Sequence, residues 1–185
     1  MTKPELVLRA REGDRDAFDL LMTALIDHLF RIARLILRDI DRAEDAVQDT
    51  LVKCWRDLPG LRDPDRFDAW LQRTLIHACY AEARRKRLWT ANVRVLPVDA
   101  PAGPDDIDSI ANRDEVESAF RRLSPDQRAI LVLHHYVGLE SREIGEVLDI
   151  PAGTARSRLH YAHRAMRAVL EADARTSVAA GGRSS

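Results

Sequence analysis

The chain predicts an all-α protein of two small helical domains joined by a flexible acidic linker, and three observations predict it. Apolar residues recur at three- and four-residue steps, the signature of helices with one buried face; Phe18, Leu21, Leu25, Leu29, Ile32 and Ile36 are the longest such series. Glycine and proline are scarce, 8 of each in 185 residues, and they punctuate the periodic segments rather than interrupt them. Composition shifts sharply between Pro97 and Glu117, where seven acids face one arginine and Pro97, Pro101, Gly103 and Pro104 cluster. Such a stretch neither packs nor propagates a helix, and it reads as a linker. The expected organisation is a first domain over 1–90, the linker over 91–112, a second domain over 113–172 and a small, polar, disordered tail over 173–185.

Each element has its own signals. The first helical region runs from about Pro4 to Arg38, punctuated at Gly13–Asp14, where Asp14 is placed to cap the longer piece. A second helix covers about Asp41–Leu58. Ala43, Ala46, Val47, Leu51, Cys54 and Trp55 form its apolar stripe, Glu44, Asp45, Gln48 and Asp49 its polar face, and Pro59–Gly60 stop it. A third runs from Pro64 to about Leu88, with Asp63 as cap and a basic end, Arg84–Arg87. Trp55, Phe67 and Trp70 are read as core. Past the linker, one helix covers about Arg113–Arg122. The next opens at Ser124, where Pro125 and Gln127 complete a capping box, and runs to about Tyr136 before Gly138 breaks it. A short helix, about Ser141–Leu148, a tight turn at Asp149–Gly153 and a last helix to about Ala172 follow.

The totals exclude several classes. No stretch reaches eighteen uncharged apolar residues, because Arg31 and Arg34 interrupt even the run Leu29–Leu37, so no membrane insertion is expected. The first residues lack a secretory apolar segment, and Cys54 and Cys79 give no disulfide framework, which points to the cytoplasm. No phosphate-binding glycine loop, nucleophile elbow or zinc-protease motif is present. The acid pairs Glu143/Glu146 and Asp105/Asp106 fall on a short helix and in the linker, where no preorganised pocket is expected. Neighbouring His134 and His135 point to different helix faces, and neither they nor His160 and His163 have a cysteine pair beside them. No enzymatic activity, cofactor or metal is expected.

Charge carries the functional signal. The formal net charge is −1, which argues against a uniformly basic coat. Local patches still act, since fields are screened over only about 8–10 Å. Ile150–Leu170 contains four arginines and no acid. Ala155, Leu159, Ala162, Met166 and Val169 mark its buried face, leaving Thr154, Arg156, Ser157, Arg158, His160, Arg164 and Arg167 outside. The preceding short helix buries Ile144, Val147 and Leu148. Two helices joined by a brief turn, the second basic on its free face, form a helix-turn-helix, whose second helix enters a major groove. Arginine there pairs bidentately with guanine, and serine or threonine contacts base or phosphate. The alternative for such a face is a solvated arginine-rich helix.

"LSPDQRAILVLHHYVGLESREIGEVLDIPAGTARSRLHYAHRAMRAVL", Leu123–Leu170, resembles the sigma-four domain of bacterial extracytoplasmic-function (ECF) sigma factors. "GDRDAFDLL" (Gly13–Leu21), "RAEDAVQDTLVKCW" (Arg42–Trp55) and "FDAWLQRTLIHACYAEARRKR" (Phe67–Arg87) resemble the sigma-two domain, in the family's order. The resemblance covers roughly residues 4–172, with the linker alike in character only. It implies a dissociable specificity subunit of bacterial RNA polymerase that reads two promoter elements and contributes no catalytic chemistry.

The resemblance also implies roles. Asp45, Gln48, Asp49, Lys53 and Arg56 are expected to dock on the β′ clamp helices of core polymerase, exposed acids steering the encounter with a basic partner. The core's β subunit is a further expected contact. The Asp63–Leu88 helix is expected to read and open the −10 element, with Arg84, Arg85, Lys86 and Arg87 tracking phosphates. The commonest family pattern has Asn where this chain has His77 and Asp where it has Ala81. His77 can still donate or accept a hydrogen bond and stays in the −10 set. Thr154, Arg156, Ser157, Arg158, His160 and Arg164 are expected on the −35 element. The linker aspartates are expected to lie in basic nucleic-acid channels of the polymerase. An anti-sigma factor, the usual keeper of family members, is an expected partner. Two alternatives remain at this point: a helix-turn-helix regulator that does not replace sigma, and a helical protein-interaction module whose basic face meets an acidic partner.

Overall fold

Eight α-helices make up the computed structural model, which describes residues 2–92 and 110–181. Most of the expected linker, and the end of the tail, lie outside the described residues. In the N-terminal unit, α1 is Lys3–Arg11, α2 Arg15–Leu37, α3 Ile40–Asp57 and α4 Phe67–Asn92. Each start has a local cause. The Asp14 carboxylate accepts from the Ala17 N–H at 3.0 Å, and Asp39 accepts from Arg42 N–H at 3.3 Å. Between α1 and α2, Gly13 takes φ +92°, a conformation that favours glycine. Short 3-10 turns at Leu58–Gly60 and Pro64–Arg66 separate α3 from α4, so Pro64 opens a 3-10 turn rather than the α-helix expected there. The periodic residues meet in the middle: Leu21, Leu29, Ile32 and Ile36 of α2, Ala43, Ala46 and Cys54 of α3, and Phe67, Leu71, Leu75 and Ala78 of α4 are all buried.

In the C-terminal unit, α5 is Ile110–Arg122, α6 Pro125–Leu131, α7 Ser141–Leu148 and α8 Ala152–Gly181. The capping box at α6 closes reciprocally. The Gln127 N–H donates to Ser124 Oγ at 3.2 Å, and the Ser124 N–H donates to Gln127 Oε1 at 3.0 Å. Past Leu131 the backbone widens into a π-helical turn, Val132–Tyr136, which Gly138 at φ +86° ends. α5, α6 and α7 all pack on α8. Among the described residues there is no strand. The two units also pack on each other, α4 against α6 and α7 and α2 against α6, and their buried residues form one continuous cluster.

Two expectations are corrected. The tail expected to be disordered from residue 173 continues α8 to Gly181. Ala172, Ala174, Ala179 and Ala180 are strong helix formers, and Arg122 holds Asp173 at 2.8 Å. Trp55 is not core: it is 37% exposed, with Phe18 meeting it edge-to-face at 5.0 Å and the Arg15 guanidinium over its ring at 5.6 Å. Its position on the stripe of α3 is marginal, and a large indole there reaches the edge of the bundle. Phe67 is buried and Trp70 partly so.

Candidate nucleic-acid interface

The helix-turn-helix begins with a close approach. Ile150 N–H donates to the Gly145 carbonyl at 2.9 Å, and Asp149, in the left-handed conformation at φ 57°, ends α7. A Cβ at Gly145 would sit 2.8 Å from the Ile150 carbonyl oxygen, so only glycine lets the turn lie this close to α7. Ile144 and Val147 of α7 and Ala155, Leu159 and Ala162 of α8 are buried together. That packing turns Arg156, Ser157, Arg158, His160 and Arg164 outward, with Thr154 half-buried at the start of the helix. Among the described residues no ion pair engages Arg156, Arg158 or Arg164, whereas Ser157 Oγ already donates to the Gly153 carbonyl at 3.0 Å. Tyr161, 62% exposed, stands on the same face, four residues after Ser157 and three before Arg164. Its spacing from those two residues was the available signal in the sequence.

On α4 the expected −10 residues His77, Arg84, Arg85, Lys86 and Arg87 are all exposed. Arg85 also bonds the Glu82 carboxylate and lies 3.5 Å from Asp49, and Lys86 Nζ lies 3.6 Å from Asp39. Glu82 is buried and also faces Arg42, whose Nη1 donates to the Glu82 carbonyl at 3.2 Å. Acids of α3 and of its own turn thus offset part of the charge at the basic end of α4, which composition alone cannot show. Burial holds the His77 imidazole below its ordinary range, Arg73, Lys53 and Arg84 push the same way, and Asp149 opposes them.

The α3 face presents Asp45, Gln48 and Arg56 to solvent, with Asp49 and Lys53 half-buried. Arg56 Nε donates to Asp57 at 2.6 Å, so a neighbouring carboxylate offsets this cation. Val52, 66% exposed, sits among them, four residues from both Gln48 and Arg56. An isolated apolar residue on a polar face carries little signal in a sequence, although the spacing is legible there.

Chemical sites other than surface recognition are weak. His135 and His163 approach through their Nε2 atoms at 2.7 Å, an arrangement across two elements that adjacency in sequence does not reveal. Among the described residues no group of three His, Cys, Asp or Glu side chains is arranged to hold a metal ion. No helix among them is long and apolar enough to cross a membrane. Cys54 and Cys79 are free and buried, and burial pushes both thiols up to about 12.

Comparison with known proteins fits this geometry. The family model for sigma-70 region 2 matches residues 21–88, and that for sigma-70 region 4 matches residues 113–168. The chain is 30% identical over 182 residues to the RNA polymerase sigma-H factor of Pseudomonas aeruginosa, spanning 90% of this chain and 93% of that one. It is 32% identical over 158 residues to the ECF RNA polymerase sigma factor SigL of Mycobacterium tuberculosis, spanning 82% and 89%. Among solved structures, CnrH in complex with the cytosolic domain of CnrY superposes with a TM-score of 0.67 at 27% identity, over 92% of this chain and 98% of that one. RpoE of Bartonella quintana, in complex with the anti-sigma factor NepR, shares the fold with a TM-score of 0.69 at 24% identity, over 84% and 98%. With family models matching both units and these relatives, the chain belongs to the ECF family of RNA polymerase sigma factors, the proteins that give the polymerase its promoter recognition.

Proposed function

We propose a division of labour along the chain, carried by one observation: Arg156, Arg158 and Arg164 stand exposed, with no acid of the described residues paired to them, on a helix whose other face is core. The 113–172 unit reads the −35 element with Thr154, Arg156, Ser157, Arg158, His160 and Arg164, α8 lying in the major groove. Tyr161 adds an apolar surface at the centre of that contact. The 1–90 unit reads and melts the −10 element through His77, Arg84, Arg85, Lys86 and Arg87 of α4, all exposed, with Arg85 and Lys86 exchanging their pairs with Glu82, Asp49 and Asp39 for phosphates.

Core polymerase docks on α3 through Asp45, Gln48, Asp49, Lys53 and Arg56, with Val52 and Trp55 supplying the apolar centre that a protein interface needs. The docking surface on the other side is the β′ clamp helices, and the β subunit receives the C-terminal unit. The chain performs no chemistry of its own and works in the cytoplasm beside the polymerase. An anti-sigma factor is its further partner; support comes from the relatives solved with CnrY and NepR.

In-vitro transcription with bacterial core polymerase on a randomised promoter library tests all of this. The expected result is a transcript that depends on the protein, with enriched −35 and −10 elements. Specific DNA binding without redirected transcription would instead make the chain a regulator and remove the α3 assignments. Neither activity would leave an interaction module.

A further inference from the structure

We propose that His135 and His163 form a two-histidine clamp for a divalent late transition-metal ion of the Ni²⁺ or Cu²⁺ kind, which ties the π-helical turn to α8. The proposal goes beyond promoter reading and does not rest on it.

Two elements build the pair. His163 stands on α8 and His135 on the turn Val132–Tyr136, where the Val137 N–H reaches back five residues to the Val132 carbonyl at 3.0 Å. Such widened turns recur at functional sites. The rings present the same atom to each other, Nε2 to Nε2 at 2.7 Å, with centroids 5.0 Å apart. Two N–H groups cannot face each other at that distance, so one Nε2 accepts through a lone pair and one proton lies between the rings. Both side chains are exposed, so core burial does not force them together.

A third ring stands beside them. His134 lies 4.7 Å from His135 and 6.3 Å from His163, centroid to centroid. Its Nδ1 meets the Leu139 carbonyl at 2.9 Å. A carbonyl only accepts, so Nδ1 carries the proton and the neutral ring keeps a lone pair on Nε2. Histidines around metals are oriented in this way. Among the described residues no three such side chains converge on one point, so His134 is a neighbour of the clamp and water completes the ion's shell.

Distance selects the metal. Imidazole nitrogens bind at about 2.0–2.1 Å. Two of them at a right angle, as a cis pair in a square-planar or octahedral shell, stand about 2.9 Å apart, and at the tetrahedral angle about 3.3 Å. From the observed 2.7 Å the first needs a widening of about 0.2 Å and the second about 0.6 Å. The right angle is the geometry of Cu²⁺ and Ni²⁺, and imidazole suits both. Charge points the same way. A hard ion such as Mg²⁺ needs oxygen ligands, and the charges acting on His163 are those of His135, His134, His160 and Arg167 rather than of carboxylates. Neutral imidazole holds a late transition ion without a carboxylate.

Loading replaces the bridging proton. That proton passes from Nε2 to Nδ1 of the same ring through water, which the exposure of both rings permits. Both Nε2 lone pairs then face the ion, and the two imidazoles stay neutral.

The test titrates untagged full-length protein with NiCl₂ in a calorimeter, above the histidine range at about pH 7.5. One ion should bind per chain, with a dissociation constant in the micromolar range. His135→Gln and His163→Gln should each raise that constant at least tenfold. His77→Gln, which removes an exposed histidine of α4, should leave it within about twofold. Ni²⁺ should also raise the thermal midpoint of the unmodified chain but not of the first two variants, because an ion held only by the folded state stabilises it. With Cu²⁺ in place of Ni²⁺, the electron-spin spectrum should show splitting by two nitrogens. Binding no tighter than millimolar, or binding that survives removal of both histidines, overturns the clamp. Zn²⁺ held more tightly than Ni²⁺ overturns the right-angle geometry and with it the choice of metal.

Discussion

Arg128 and Ile36 meet across the two helical units although 92 residues separate them: the guanidinium Nε donates to the Ile36 carbonyl at 2.5 Å. The same side chain reaches back into its own unit, Nη1 donating to the Leu123 carbonyl at 2.5 Å and the Arg121 carbonyl at 3.3 Å. Ile36 is in the last turn of α2, where carbonyls lack helical partners and the helix dipole is negative. A planar fork is the group that can serve three such acceptors at once. Burial, with Arg38 nearby, lowers the Arg128 pKa to about 10, so it stays charged at neutral pH.

Arg128→Lys should therefore be costly despite keeping the charge. An ammonium on a thinner stem reaches one carbonyl well and leaves the others buried and unserved. The expected loss is about 1–3 kcal/mol of stability, read as a lower urea midpoint of the full chain. A change within about 0.3 kcal/mol would mean that the carbonyls find water instead.

Gly145→Ala should damage the helix-turn-helix from within. The added Cβ meets the Ile150 carbonyl oxygen at 2.8 Å and the Ala152 backbone at 3.3 Å, so no flexible side chain can give way. Either α7 or the turn must shift, at a cost of about 1–3 kcal/mol. Thermal unfolding should report that loss, and −35 DNA binding should fall further than stability alone explains, because the turn sets the angle of α8.

How much of this was legible depended on whether a feature is local. Caps, breaks and core faces are local, and Asp14, the Ser124–Gln127 box and the Ala155–Leu159–Ala162 face all lie as periodicity and capping rules place them. The basic end of α4 is legible only in part, because its setting depends on what lies across from it. Arg85 and Lys86 look free in the sequence, yet Asp49 and Asp39 stand opposite only once α3 packs on α4. Arg128 was invisible for the same reason: nothing near it in the sequence signals a carbonyl in another unit. The tail is small and polar in composition, yet its alanines set its helix propensity.

Acid should destabilise the C-terminal unit through two histidines. Burial, first, and then the neighbouring imidazoles hold His135 and His163 below the ordinary histidine range. Their pKa values are depressed in the folded state, so the unfolded chain binds protons first as pH falls. Stability is full above about pH 6.5 and declines below it until the folded-state values are passed. Unfolding midpoints at pH 7.5 and 5.5 measure the decline. His163→Gln should reduce its slope, and an unchanged slope would assign the effect to other groups.

The two cysteines should be silent in the native protein. With both thiols pushed up to about 12 by burial, almost no thiolate exists at pH 8. Alkylation by iodoacetamide should proceed only as fast as the chain opens, and both thiols should react at the ordinary rate in urea. Rapid labelling of either one in native buffer would place it in a mobile part of the bundle.

Arg156 and Arg158 should separate base reading from phosphate contact. Both project from the first turns of α8, where a recognition helix meets base edges. If Arg156 pairs with a guanine, Arg156→Ala costs about 1–3 kcal/mol on the preferred −35 sequence and relaxes preference at one position. A residue that only neutralises a phosphate behaves differently: its loss weakens binding to all sequences alike and lowers the salt slope by about 1. Arg164, two turns further from the N-terminus, is expected to follow this second pattern. Binding isotherms at several salt concentrations, on the preferred site and on singly changed sites, give both quantities for each variant. Equal loss on every sequence for all three arginines would mean that α8 holds the backbone and that specificity comes from elsewhere on the face, with Thr154 and Tyr161 the next residues to change.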